Sequence, residues 1–373
     1  MAGIYIHIPF CKQACYYCDF HFSTSLAYKP QLFDALMKEL ALQKDYLSGE
    51  TIETIYFGGG TPSLLSSEEI NSIIDAITSI HSVASGAEIT LEANPDDLTP
   101  EKIKSLRQKP VNRFSIGIQS FFDDDLAWMN RAHRSGEADS SVKRAQDAGF
   151  ENITADLIYG YPLLTGQKWK TNLEKIFALE IPHVSAYSMT VEPRTALASF
   201  IKQKKQPPMN EEQSAEQFLY LADAMQRQGF EHYEISNFCK PGHYSRHNTN
   251  YWKGIKYLGI GPSAHSYDGE TRQWNIANNA KYISSINDKK IPAEKEILTE
   301  ADRLNEYIMT SLRTMWGLDL DKLNSIAAGA SEPLLRSAAS FSERAWLRQE
   351  ENKIYLTQTG KLYADHIALE LFF

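Results

Sequence analysis

Three of the chain's four cysteines fall within eight positions: Cys11, Cys15 and Cys18, spaced C-x3-C-x2-C in the stretch YIHIPFCKQACYYCDF. Thiolates at this spacing can converge on one metal centre from a single loop. A structural zinc site closes with four protein ligands, and a four-cysteine iron–sulfur cluster needs a fourth thiolate. None stands nearby, and position 20, where one would be sought, is Phe20. Three thiolates on a cubane [4Fe–4S] cluster would leave one iron open to a substrate, and that open iron is the chemistry the motif predicts. The competing reading buries the cysteines as small apolar residues; three so close together, flanked by Pro9 and aromatics, are poor composition for that. A disulfide cannot use three thiols, and nothing marks secretion.

Further polar residues stand in or just past apolar, β-rich runs. IETIYFGGG leads into Gly58-Gly59-Gly60-Thr61-Pro62, where glycine permits positive φ and close backbone approach to a ligand. The plain alternative is a tight turn, and the run matches neither G-x-G-x-x-G nor a P-loop. Glu92 and Asn94 lie in LEANP, Gln119 in GIQS, Arg131 and His133 in MNRAH, and Asp156 in ADLIYG. Each would be costly to bury without a partner. As a set they read as a ring around a polar ligand; singly, each also suits barrel-lip hydrogen bonding or helix capping. Further on, HNTNYW places His247 just before Tyr251 and Trp252. A histidine beside exposed aromatics suits an axial ligand to a planar apolar cofactor such as haem. On residue chemistry alone, a hydrogen-bonded histidine with two aromatic anchors is the simpler reading. Cys239 reads as a spectator thiol, and His265 in GPSAHS is equally consistent with loop structure.

The elements that must position these residues follow from periodicity. Strand candidates at 3–10, 52–60, 87–95, 113–120, 152–160 and 183–192 alternate with amphipathic helical stretches such as QLFDALMKELALQKDYL and SSEEINSIIDAITSI. Such alternation predicts an α/β fold of parallel strands with crossover helices. Polar residues gathered at the C-terminal strand ends favour a partial (β/α) barrel over a doubly wound sheet. A polar linker ending in Pro207-Pro208 precedes a helix at 211–228. The run from His232 to Ser266, dense in glycine, proline and aromatics, reads as a loop-rich surface over the barrel mouth. From Thr299 a series of helices, a hairpin and a last helix reads as a winged-helix-like module. Residues 331–373 carry 5 Lys/Arg against 6 Asp/Glu, so packing or a lid suits this module better than DNA binding. The expected organisation is a barrel at 1–210, an extension at 211–298 and the module at 299–373.

Composition sets the outer bounds. The 373 residues are 43% hydrophobic, ordinary for a globular protein, and the net charge of -9 counts against a broad nucleic-acid surface. No apolar run reaches membrane-spanning length, and the N-terminus enters a strand without a signal-peptide pattern. A cytoplasmic location is expected.

The cysteine spacing after a strand, with Tyr17 before the last cysteine, resembles the radical S-adenosylmethionine superfamily. The resemblance implies a (β/α)6 three-quarter barrel and a cluster whose open iron is chelated by the amino and carboxylate groups of S-adenosylmethionine. Electron transfer from the reduced cluster would cleave the sulfonium to a deoxyadenosyl radical. It gives Gly59, Gly60 and Thr61 backbone contacts to the amino group and carboxylate of that cofactor. GIQSF, NRAH and DLIYGYP are similar to the oxygen-independent coproporphyrinogen III oxidase branch. The matching positions there, Tyr5, Glu92, Gln119, Arg131 and Asp156, contact S-adenosylmethionine, and Tyr17 is grouped with them.

Within that branch the resemblance narrows to haem chaperones, from YIHIPFC to TQTGKLYADHI. The oxidases add a cysteine two positions past the third ligand, where this chain has Phe20, and an extension before the first strand, where Met1 stands four residues from Tyr5. HNTNYW matches the H-N-x-x-Y-W pattern associated with haem, implying contacts at His247, Tyr251 and Trp252. The expectation is a haem chaperone with a [4Fe–4S] cluster and S-adenosylmethionine, delivering haem to a transiently docked membrane acceptor. The alternatives are radical oxidative decarboxylation of coproporphyrinogen III and radical chemistry on another substrate.

Overall fold

Six apolar runs, buried through their central residues, become β1 (Ala2–Ile8), β2 (Ile52–Gly59), β3 (Val83–Ala93), β4 (Arg113–Gln119), β5 (Ile153–Tyr159) and β6 (His183–Ser188). The computed structural model describes residues 1–373. Each strand pairs in parallel with the next. Near-continuous burial is what strands covered on both faces require. The crossover helices supply the outer cover. In helix Ser67–Ile80, for example, the Ser66 hydroxyl accepts from Glu69 N–H while the Glu69 carboxylate accepts from Ser66 N–H, a reciprocal capping box. The barrel stays open, because β6 and β1 do not pair.

The region after residue 229 corrects the expectation of a loop over the mouth. It forms β7 (Glu231–Glu234), β8 (Asn237–Cys239), β9 (Lys256–Ile260), β10 (His265–Tyr267), β11 (Thr271–Asn275) and β12 (Ala293–Ile297). The β7–β8 pair extends the sheet antiparallel beyond β6, and β9 joins β1 in parallel, giving the order β12-β11-β10-β9-β1-β2-β3-β4-β5-β6-β8-β7. Between the two edges, helix Arg246–Trp252 lies under the N-terminal ends of the strands. Glu88 in β3 accepts from the backbone N–H groups of Arg246 and His247, each at 3.1 Å. The Arg246 guanidinium donates to the Gly86 carbonyl at 2.7 Å. The segment therefore plugs the barrel floor, opposite the cysteine loop. Its strands are only three to five residues long, and the pairings that join them to the barrel, β8 with β6 and β9 with β1, are distant in sequence, which hides them from periodicity.

The last part has its own core. One cluster of 62 buried apolar residues spans the barrel and its sheet extension, while a separate cluster of 17 lies between Leu304 and Leu371. Helix Glu300–Leu312, β13 (Leu318–Asp319), helices Leu320–Ile326 and Ser331–Glu343, then β14 (Leu347–Glu350) and β15 (Lys353–Leu356), give a three-stranded sheet of order β13-β15-β14 with the winged-helix arrangement. The module docks on the barrel through Arg313, whose Nε lies 3.1 Å from buried Glu234, and through backbone bonds from Ile235 to Arg313 and from Met315 to Tyr233. No helix is long and apolar enough to cross a membrane.

Candidate cluster and cofactor site

Hydrogen bonds from the chain itself hold the loop after β1 in place. Cys11 N–H donates to the Ser23 carbonyl at 3.0 Å and Tyr16 N–H to the Met129 carbonyl at 3.2 Å. Asn130, at φ +58, donates from Nδ2 to the Ala14 carbonyl at 2.7 Å and accepts from Gln13 Nε2 at 2.6 Å. Asparagine tolerates this left-handed backbone better than most residues. Sequence reasoning passed over Asn130 and Gln13; the only signal was an asparagine just before Arg131.

Cys11, Cys15 and Cys18 all line one cavity of about 440 Å³ at the C-terminal ends of the strands. They are free thiols, half-buried. Burial pushes the Cys11 thiol up from its ordinary range, with a counteracting hydrogen bond from Thr61, and pushes Cys18 up to about 12. Iron bound there would reverse this, since coordination deprotonates a thiol outright.

The same cavity is lined by Tyr17, Gly59, Gly60, Thr61, Glu92, Gln119, Arg131 and Asp156. Arg131 is the hub. Its Nη1 donates to Cys15 Sγ at 3.5 Å and to the Tyr17 hydroxyl at 3.4 Å, and its Nη2 to Asn94 Oδ1 at 2.7 Å and the Gly117 carbonyl at 2.9 Å. Glu92 accepts from the Tyr56 hydroxyl at 2.8 Å, and burial, reinforced by nearby Asp156, pushes its pKa up to about 8. Asp156 accepts from Ser115 at 3.1 Å, and burial pushes it up to about 6. Two half-buried carboxylates facing one cavity favour a cationic ligand there. Gln119 sits at φ +65 where the β4–β5 register shifts, and its Oε1 is buried without a partner, as is Arg131 Nε. Buried orphans are rare in proteins, so a polar ligand in this cavity would complete the bonding. His133 is not part of the ring: it is buried and bonded at Nε2 to the Ile118 carbonyl at 3.0 Å.

The glycine run differs in detail from the expected backbone cradle. Gly60 N–H and Thr61 N–H are already spent on the Ile8 and Phe10 carbonyls, at 2.9 and 2.7 Å. A Cβ on Gly60 would meet the Phe10 carbonyl oxygen at 2.7 Å, so glycine is required for the loop to pack here. These N–H groups cannot also serve a carboxylate, while the Gly60 carbonyl accepts no hydrogen bond within the chain and remains open to an ammonium donor.

Tyr5 stands apart from this set. Its ring stacks near Tyr56 and its hydroxyl lies 3.1 Å from His7 Nδ1, so it lines a second, larger cavity of about 760 Å³. That cavity also takes Tyr251 and Trp252, and it shares Asp19 and Phe20 with the first. His247 does not line either cavity. Its Nδ1 lies 2.8 Å from Thr54 Oγ1 and its Nε2 2.8 Å from the Tyr251 hydroxyl, leaving no free nitrogen. Burial lowers its pKa to about 3. Cys239 is fully buried in β8.

An open parallel barrel with three thiols on the loop after its first strand defines the class of radical S-adenosylmethionine proteins, which carry a [4Fe–4S] cluster and S-adenosylmethionine. The radical SAM superfamily profile matches residues 5–176. The chain is 35% identical to the heme chaperone HemW of Bacillus subtilis (strain 168), over 98% of this chain and 98% of that one. It is 31% identical to the heme chaperone HemW of Escherichia coli (strain K12), over 99% and 97%. The fold is similar to that of the coproporphyrinogen III oxidase HemN from Escherichia coli, a radical SAM enzyme, with a TM-score of 0.85 over 100% of this chain and 90% of that one at 22% identity. The chain belongs to the HemW family of the radical SAM superfamily.

Proposed function

We propose that the chain is a haem chaperone: it holds haem beside a [4Fe–4S] cluster and S-adenosylmethionine and passes the haem to an acceptor protein. The observation that carries this reading is the pair of adjoining cavities, one lined by the three thiols and the other by aromatic rings, with Asp19 and Phe20 common to both walls. Relatives named heme chaperones along nearly the whole chain support it.

Cys11, Cys15 and Cys18 would hold the cluster, which when bound supplies an open iron and one-electron reduction. Arg131 would set the charge beside Cys15 and, with Gln119, take up the carboxylate of S-adenosylmethionine. The Gly60 carbonyl would receive its ammonium group. Glu92 and Asp156 would face its cationic centre and ribose hydroxyls. Tyr251 and Trp252 would give haem a stacking wall, with His247 acting through its bond to the Tyr251 hydroxyl and Tyr5 packed beneath. The acceptor, a haem-requiring membrane protein, would dock transiently.

Haem titration of the anaerobically reconstituted protein tests this. Saturable binding with a Soret shift, followed by transfer of haem to an apo-haem protein, is expected. Absence of saturable binding, or conversion of coproporphyrinogen III to a vinyl-bearing product, would overturn it.

A further inference from the structure

We infer that His265 is the axial ligand of haem iron in the larger cavity, with Arg303 and Lys322 of the C-terminal module receiving the two propionates. The inference rests on the haem-binding reading above and specifies where and how the porphyrin is held.

The cavity of about 760 Å³ lies between the sheet extension and the C-terminal module, and its size falls within the range of cofactor sites. A haem needs three things from such a space: flat apolar walls, a neutral nitrogen for the iron, and cations for two carboxylates. Tyr251, Trp252 and Tyr257 provide the walls on the barrel side and Tyr307 on the module side.

The histidines of the cavity differ in what their nitrogens are doing. His7 is committed at both, to the Tyr5 hydroxyl at 3.1 Å through Nδ1 and to the His21 carbonyl at 3.1 Å through Nε2. His21 is tied through Nε2 to Asn279 Oδ1 at 2.8 Å and keeps only Nδ1 open. His265 is exposed to the cavity in β10, and neither of its ring nitrogens has a hydrogen-bond partner in the chain. Its ring stacks near Trp274 at 6.2 Å and 27°, which orients it without using a nitrogen. The backbone beneath is fixed as well. A Cβ on Gly259 of β9 would meet the His265 carbonyl oxygen at 2.1 Å, so only glycine lets β10 pack this closely.

The cations sort in the same way. Arg272 is already paired with Glu306 at 2.8 Å, while Lys253, which like Lys322 has only an aromatic ring beneath its ammonium (Trp316, at 4.4 Å), stands on the barrel side of the cavity. Arg303 makes no ion pair or hydrogen bond through its guanidinium, and the Lys322 ammonium has only the Tyr307 ring, at 4.6 Å. Both come from module helices, Glu300–Leu312 and Leu320–Ile326, so the module would clamp the acidic edge of the porphyrin while the barrel side ligates its iron. Guanidinium and ammonium groups are the usual partners of such carboxylates.

The test uses the full-length reconstituted protein and ferric haem, read by absorption and EPR. Wild type is expected to give a histidine-ligated spectrum. His265→Ala should lose that signature and bind about tenfold more weakly or worse, and added imidazole should restore it. Arg303→Glu and Lys322→Glu should each weaken binding about tenfold with the ligation spectrum unchanged. Melting curves and cluster EPR should match wild type in all three. If wild type binds no haem, the haem-binding reading itself falls. If wild type binds haem and His265→Ala keeps the same spectrum and affinity, the assignment of His265 falls alone. If the two charge reversals leave affinity unchanged, the propionate clamp falls.

Discussion

Arg131 places its Nη1 3.5 Å from Cys15 Sγ while its other arms hold Asn94 and the Gly117 carbonyl, so a fixed positive charge stands beside one of the three thiols. Reduction of a cluster adds negative charge, which that cation stabilises. Arg131→Gln should therefore shift the midpoint potential to a more negative value. A charge-assisted hydrogen bond of about 1.5–3 kcal/mol, only part of which differs between the oxidation states, converts to a shift of some tens of millivolts at roughly 59 mV per tenfold for one electron. EPR-monitored redox titration measures it, and an unchanged potential would separate Arg131 from the cluster.

Glu92, half-buried and bonded to Tyr56, faces the cavity where a cationic cofactor is proposed. A bound cation would draw Glu92, whose pKa burial raises to about 8, into its ionised form, and Glu92→Gln keeps the shape while denying the cation that charge. S-adenosylmethionine should bind about tenfold more weakly or worse by calorimetry, with iron and sulfide content unchanged. Equal affinity would place the cofactor's charge elsewhere.

His247 bridges Thr54 and Tyr251 within the barrel floor. His247→Leu leaves both hydroxyls without this partner and should cost about 1–3 kcal/mol of stability, seen as a lower melting temperature. The Soret maximum of bound haem should stay where it is. A changed ligation spectrum would restore His247 as an iron ligand.

The C-terminal module supplies one wall of the larger cavity, and Arg313 fastens it to Glu234, which is 1% exposed. Arg313→Ala leaves that carboxylate buried without its cation, a defect worth about 3–5 kcal/mol. Hydrogen exchange in helix Glu300–Leu312 should speed up and haem affinity should fall. Unaltered exchange would show that other contacts hold the module.

Glu39 is fully buried and accepts from Gly261 N–H at 2.8 Å, Asn275 at 2.6 Å, Gln43 at 2.8 Å and the Tyr282 hydroxyl. Burial outweighs these donors and pushes its pKa up to about 7. A carboxyl whose folded pKa is raised binds more protons folded than unfolded. Its contribution is therefore full below about pH 4.5 and is lost as pH rises through about 7. Urea titrations of wild type and Glu39→Gln at pH 5 and pH 8 should show the wild type losing on the order of 3 kcal/mol relative to the variant. No relative change would mean that the four donors keep Glu39 ionised throughout.

Much of this molecule could be read before its structure. The strands of the barrel are continuous apolar runs ending in polar residues, and Cys11, Cys15 and Cys18 sit on one local loop, so short-range pattern suffices for both. Glu92, Gln119, Arg131 and Asp156 could be grouped because barrel strands bring their C-terminal ends together. The floor plug at Arg246–Trp252 was illegible for the opposite reason: Glu88 and Thr54, which fix it, lie over 150 residues away in sequence. His247 and His265 look alike as residues beside aromatics. Only the partners of their nitrogens distinguish them, and those partners come from tertiary contact.

The central claim is a three-thiol cubane whose open iron takes S-adenosylmethionine. EPR of the dithionite-reduced, reconstituted protein, recorded before and after addition of that cofactor, tests it most directly. The account predicts a [4Fe–4S] signal whose g values shift when the cofactor is added, and its loss when Cys11, Cys15 and Cys18 are replaced by alanine. A zinc-loaded protein without such a signal, or a cluster signal indifferent to S-adenosylmethionine, would contradict it.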